Sequence, residues 1–146
     1  MSATNNSKSF GAINADNSIR KCDASGCGHF GASRGERGHN GVDFIVTEGQ
    51  AIKVPFDCKV TRHGYPYAGD TNYELVEIQG MNGFEAFKAK IMYVKNIKPV
   101  GTLLKKGEAV CEAANIAKRY SKPMTIHVHF ELYLNGVLVD PTPFFS

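Results

Sequence analysis

Five histidines lie along the 146-residue chain, and two placements among them can carry metal chemistry. His127-Val128-His129 falls inside Thr125 to Tyr133, a run in which apolar and polar residues alternate. Residues two apart on a strand share a face, so both imidazoles point the same way, with Cα atoms about 6.5–7 Å apart. One ring can then bind a metal while the other stands beside the water that the metal acidifies. The alternative is a pair of partly buried histidines with hydrogen-bonded rings. The second placement is His39-Asn40-Gly41-Val42-Asp43. Fully extended, it would hold the Cα atoms of His39 and Asp43 about 13 Å apart, too far to grip one ion, so convergence requires a turn. Gly38, Asn40 and Gly41 tolerate the backbone angles of such a turn. The glycines, with Val42, Phe44, Ile45 and Val46 close behind, disfavour a helix.

The two motifs supply His, Asp and His as ligands, with one imidazole to spare. Three such ligands and an open fourth position are what a catalytic zinc requires, whereas a structural zinc takes a fourth protein ligand. Iron held by two histidines and a carboxylate is the chemical competitor, and spacing leaves it open.

The elements that must position these residues are mostly strands. Val42 to Val46, Ala51 to Val54, Cys58 to Thr61, Leu75 to Gln79, Ala89 to Val94, Ala109 to Cys111 and Ile126 to Leu132 are rich in β-branched and aromatic residues. Gly, Pro and Asn turns separate them. Glu112 to Tyr120 is the one helical run, closed by Pro123. The first thirty-five or so residues are punctuated by Gly, Ser, Asn and Asp and read as an irregular arm wrapped on a core. The expected organisation is an irregular or flexible arm over 1–17 and a single domain over 18–146. Glu48-Gly49-Gln50-Ala51-Ile52 and Lys106-Gly107-Glu108-Ala109-Val110 echo one another, each a glycine turn feeding an apolar strand. Two ordinary β-turns account for them equally well.

Composition narrows the function classes. Hydrophobic residues at 42% and charged residues at 21% support a packed core. A net charge of +3 is too mild for a nucleic-acid binder, and no apolar run approaches the span of a bilayer. Met1 to Asn17 lacks the basic start and apolar stretch of a secretory signal, so the expectation is a mature form or an export route that reads no such signal. Of the four cysteines, Cys22 and Cys27 bracket a tight loop whose expected form is a short-range disulfide, which favours an oxidising destination. A zinc knuckle is the competing reading, with the wrong spacing and no second pair.

The set H-x-G-x-D at His39 to Asp43, K-K-G-E at Lys105 to Glu108, H-x-H at His127 to His129 and G-x-x-x-D-P at Gly136 to Pro141 resembles the lysostaphin/LytM-type zinc metallopeptidases. Within them the chain is most similar to the leukocyte cell-derived chemotaxin branch. The stretches Arg20 to Asp23, Gly26 to Gly28 and Met92-Tyr93-Val94-Lys95 occur there in the same order. The resemblance covers Ile13 to Pro143 and implies a mainly β, antiparallel barrel-sandwich hybrid with zinc in a groove and at most one short helix. It implies that His39, Asp43 and His129 ligate zinc and that His127 stands on the bound water. The implied substrates are the peptide stems or bridges of bacterial peptidoglycan. Where active members carry Tyr-x-His, this chain has Tyr93-Val94-Lys95. A lysine can stabilise an oxyanion, with Tyr93 as a further helper, but exchanges protons poorly at neutral pH. Cys58 and Cys111 occupy positions where the family commonly has glycine, and a bond between them is expected.

Two function classes follow. One is a cell-wall endopeptidase, secreted or injected as a toxin effector into an oxidising periplasm or extracellular space, with an immunity protein as partner. The other is a non-catalytic, secreted zinc module for signalling or receptor binding, as the chemotaxin branch implies. Both are expected to be monomers, with no nucleic acid and no membrane insertion. Tyr65, Tyr67 and Tyr73 either wall a substrate cleft or pack their loop, His63 is an exposed loop residue, His29 is a weaker groove candidate and Asp140 a turn residue.

Overall fold

The computed structural model describes residues 10–14, 20, 28–31, 33–34, 37–38, 40–121 and 124–145. His39, Cys22 and Cys27 lie outside the described residues, and so does any pairing between those two cysteines. β1 (Ser33–Arg34) and β2 (Arg37–Gly38) form a small antiparallel ribbon. The remaining strands make one nine-stranded antiparallel sheet. They are β3 (Val42–Ile45), β4 (Ala51–Lys53), β5 (Cys58–Gly64), β6 (Glu74–Gly80) and β7 (Phe87–Lys95), then β8 (Leu103–Leu104), β9 (Ala109–Ala113), β10 (His127–Leu134) and β11 (Val137–Val139). The strands run in the order β11-β10-β7-β6-β5-β8, with β3 added to β10, β9 to β7 and β4 to β9. The mainly antiparallel β expectation holds, but the sheet is not closed into a barrel. Among the described residues no helix is long and apolar enough to cross a membrane.

Alternation decides which face of each strand is buried. In β7, Phe87, Ala89 and Ile91 are buried between the more exposed Lys88 and Lys90. β10 is different, because both of its faces are covered. Val128, Phe130 and Leu132 are fully buried in the apolar core, while His127, His129 and Glu131 are buried on the opposite face. A strand that buries polar groups must give them partners. Beneath β10 lies an aromatic cluster. Phe10 packs edge-on to Phe56 and Phe87 and stacks on Phe144, with ring centroids 5.1–5.3 Å apart, and Phe145 closes over Phe44 and Phe130.

The paired pentapeptides prove to be partners. Gly49 and Gly107 both take positive φ, 83° and 92°, and the strands they feed, β4 and β9, pair with each other. The bonding is reciprocal. Gly49 N–H donates to Ala113 and Ala113 N–H to Gln50, while Gly107 N–H donates to Val54 and Val54 N–H to Glu108. This is a local pseudo-twofold, closer to symmetry than two unrelated turns would give.

Two expectations are corrected. The run Glu112 to Tyr120 is not a helix: Glu112 and Ala113 complete β9, paired to Ala51 and Val94, and only Ile116–Arg119 forms a 3₁₀ turn. Strand pairing overrides the helix preference of Glu-Ala-Ala. A second 3₁₀ turn covers Thr142–Phe145, so the described residues hold two such turns and no α-helix, within the mainly β expectation. Asp140 serves as the turn residue before it, accepting Thr142 N–H at 2.9 Å.

Cys58 and Cys111 are not bonded to each other; both are free and buried. Cys58 pairs with Gly80 and Leu104, and Cys111 with Ile52, so no strand pairing sets the two side by side. Burial pushes the Cys58 thiol up to about 12, with Asp57 and Glu108 adding to the shift, and burial raises Cys111 as well. A thiol so protonated is a poor nucleophile. In the folded protein at pH 8, iodoacetamide should therefore leave both unlabelled, and both should react once urea unfolds the chain. Peptide mapping by mass spectrometry checks this, and a cross-linked Cys58–Cys111 peptide would contradict it.

Candidate metal centre

The register between β3 and β10 sets Asp43 directly opposite His129. Asp43 turns its own backbone away from β10, donating its N–H to Gly28 O at 2.8 Å and accepting Arg20 N–H at 2.7 Å. The Asp43–His129 pair is therefore of the non-hydrogen-bonded kind, in which cross-strand side chains approach most closely. Gly41 makes this approach possible, since a Cβ there would stand 2.2 Å from the carbonyl oxygen of Phe130.

The side chains form a buried chain of alternating charge. Asp43 is 1% exposed. Its Oδ1 lies 3.0 Å from His129 Nδ1, and its Oδ2 accepts a hydrogen bond from the Arg20 guanidinium at 2.8 Å. His127 Nε2 comes within 3.5 Å of the same Oδ2. The other nitrogen of each histidine is also engaged. His127 Nδ1 lies 2.7 Å from Thr125 O, and because a carbonyl can only accept, that nitrogen carries the proton and Nε2 presents its lone pair to Asp43. His129 Nε2 lies 2.9 Å from Glu131 Oε2.

The two imidazoles are tuned in opposite directions. Burial holds His127 below the ordinary histidine range, against the pull of Asp43, so at neutral pH it is an uncharged base. Burial acts the same way on His129, but its bonds to Asp43 and Glu131 outweigh it and raise that ring to about 9.

Tyr93 reaches the site through a β-bulge. β6 pairs Leu75 with Met92 but Glu74 with Val94, which leaves Tyr93 as an extra residue at φ 74°. A bulky residue in that region costs on the order of 1–3 kcal/mol and tends to occur at functional sites. The bulge aims the ring at the histidines, 5.5 Å from His127 and 6.3 Å from His129. Behind it Tyr67 stacks on Tyr93 at 5.8 Å and Arg119 lies 3.7 Å over Tyr67. Tyr67 and Tyr73 are thus part of one aromatic wall beside the site, while Tyr65 is exposed. Lys95 lines the adjoining recess of about 510 Å³ with Asp70, Tyr73, Asn115 and Arg119. His29 and His63 are exposed.

The structure thus brings Asp43, His127, His129 and Tyr93 together and puts Lys95 in the next recess. The donors fit zinc: the 3.0 Å between Asp43 Oδ1 and His129 Nδ1 is close to the ~3.3 Å between two ligands of a tetrahedral ion with bonds of about 2.0–2.1 Å. Among the described residues no cluster of three potential ligands is complete. Arg20 and Glu131 were not singled out from the sequence. Glu131 has a readable signal, since it continues the spacing of His127 and His129, and Arg20 opens a stretch that carries the resemblance, though nothing local ties it to Asp43.

Comparison with known proteins gives the family and the fold. The model of peptidase family M23 matches residues 37–141. Leukocyte cell-derived chemotaxin-2 of Mus musculus is 34% identical over 134 residues, covering 91% of this chain and 83% of that protein. Among solved structures, a zinc-containing peptidase from Vibrio cholerae superposes with a TM-score of 0.65 at 22% identity, over 92% of this chain and 39% of that one. The antimicrobial peptidase lysostaphin from Staphylococcus simulans gives 0.67 at 21% identity, over 93% and 53%. This chain therefore spans about half or less of either structure, and the likeness to them is one of fold.

Arg20 and Asp43 have side chains only 2% exposed, and removing one partner of a buried pair strands the other charge. Arg20→Met should destabilise the protein by about 3 kcal/mol, the low end for such pairs because His129 shares the carboxylate. Urea unfolding in the presence of a chelator measures this, and Asp43→Asn added to the same chain should recover part of the loss.

Proposed function

The chain belongs to peptidase family M23, and from that membership we propose that it is a zinc metalloendopeptidase that cuts peptide stems or bridges of bacterial peptidoglycan. Asp43 and His129 are the ligands supported by geometry, and His39 joins them on the strength of the H-x-G-x-D resemblance. The observation that carries the reading is the register that sets Asp43 against His129, with the neutral His127 imidazole on the same carboxylate.

Zinc held there would supply Lewis acidity to water and to the scissile carbonyl. The chain's own residues do the rest. The Thr125 carbonyl fixes the His127 proton on Nδ1, so Nε2 is the nitrogen that takes a proton from the attacking water and later returns it to the leaving amine. Tyr93, held over the histidines by its bulge, brings a hydroxyl to the developing oxyanion. Lys95 adds positive charge from the neighbouring recess. The working place is the periplasm or extracellular space, reached by secretion or by delivery as a toxin effector, where an immunity protein would be the natural counterpart.

A second reading, a non-catalytic zinc module that signals or binds a receptor, is favoured by two observations. Lys95 stands where the resemblance expects a histidine, and the chain shares 34% identity with a chemotaxin. Mass analysis of fragments released from purified cell wall separates the two. The zinc-loaded protein should release peptide-cleaved fragments, a chelator should stop it, and His127→Ala should lose at least about 100-fold in rate while keeping its zinc. Zinc binding without any fragment release would establish the second reading, and undiminished cleavage by His127→Ala would overturn the role of that residue.

A further inference from the structure

The polar face of β10 continues beyond the histidines. His127, His129, Glu131 and Tyr133 occupy alternate positions of the strand, so all four side chains share one face. Glu131 Oε2 lies 2.9 Å from His129 Nε2, and Tyr133 donates its hydroxyl to Glu131 Oε1 at 2.8 Å. The carboxyl group is thus engaged through both oxygens, and its side chain is only 11% exposed. On the neighbouring strand Lys90 stands opposite Glu131 and places its ammonium 5.2 Å from the Tyr133 ring. The result is a connected relay from Asp43 through His129 and Glu131 to Tyr133, ending in a recess of about 390 Å³ on the sheet surface.

An imidazole has two chemically distinct nitrogens, and the partner of one decides what the other can do. Glu131 is an acceptor and keeps a proton on Nε2, so a cation can meet the ring only at Nδ1, 3.0 Å from Asp43, in place of the proton that nitrogen gives to Asp43. The bond also fixes the rotation of the ring.

We propose that Glu131 is a positioning residue that orients His129 for metal binding, and that Tyr133 in turn holds Glu131 in place. This rests on the metal-centre reading above. Zinc affinity, measured by competition with a chromophoric chelator, tests it without recourse to activity. Glu131→Ala should weaken zinc 10- to 100-fold. Glu131→Gln, which keeps an acceptor of the same size but no charge, should lose less, and Tyr133→Phe less again. The ¹⁵N resonances of His129 in the zinc-loaded protein should show Nε2 protonated in the wild type and a changed pattern in Glu131→Ala, which a purely structural role for Glu131 would not produce. Glu131→Gln is near-isosteric and covers the case in which the alanine variant fails to fold. Asp43→Asn separates the two readings. If wild type and Asp43→Asn bind zinc equally, or neither binds, the metal centre fails and the proposal with it. If Asp43→Asn loses zinc while both folded Glu131 variants retain wild-type affinity and the same His129 resonances, the proposal alone is overturned.

Discussion

The juxtaposition of Asp43 and His129 across two antiparallel strands is the constraint on which the candidate centre depends. It is a matter of register before it is a matter of chemistry. A slip of one residue between β3 and β10 would turn His129 into the apolar core and bring Phe130 out against Asp43. The other face of the same strands forbids that slip, because Val42, Phe44, Val128 and Phe130 are fully buried or nearly so and Phe44 packs against Phe130. Gly41 adds a steric lock at the carbonyl of Phe130. Apolar packing on one side of β10 thus sets polar geometry on the other.

Burying so many ionisable groups in a small domain is tolerable because their charges alternate. Arg20, Asp43, His129 and Glu131 form a sequence of opposite signs in which each member bonds to the next. An isolated buried charge would be driven to neutrality, and a paired one is not. The same environment leaves His127 uncharged, since burial is the dominant influence on it and its own partner is a carbonyl. Two histidines two residues apart are thereby given different protonation states by their neighbours.

Much of this was legible in the chain. The seven β-rich runs from Val42 to Leu132 all contain strands, because alternation and turn residues agree along them. The H-x-H spacing places both rings on one face, whereas the glycines around Asn40 were read only as permitting a turn, and the close approach at Gly41 emerges from strand pairing. Other features were hidden. The β-bulge that turns Tyr93 toward the site depends on how β6 pairs with β7, a long-range choice that no local spacing encodes. Arg20 opens a stretch that carries the resemblance, but its bond to Asp43, 23 residues away, follows from the fold and not from local spacing. Cys58 and Cys111 form an even pair on paper but sit on strands that do not neighbour one another, and Glu112 with Ala113 was claimed by β9 despite good helix formers.

The pair at the heart of the centre is also separated by 86 residues of chain. Loop closure over such a distance is entropically costly and belongs to the slow part of folding. Neither a nascent chain nor a partly folded one owns the site until its last long strand, β10, has docked beside β3. During synthesis, any cation captured by that pair could arrive only once the rest of the sheet is available, so its uptake would coincide with completion of the fold.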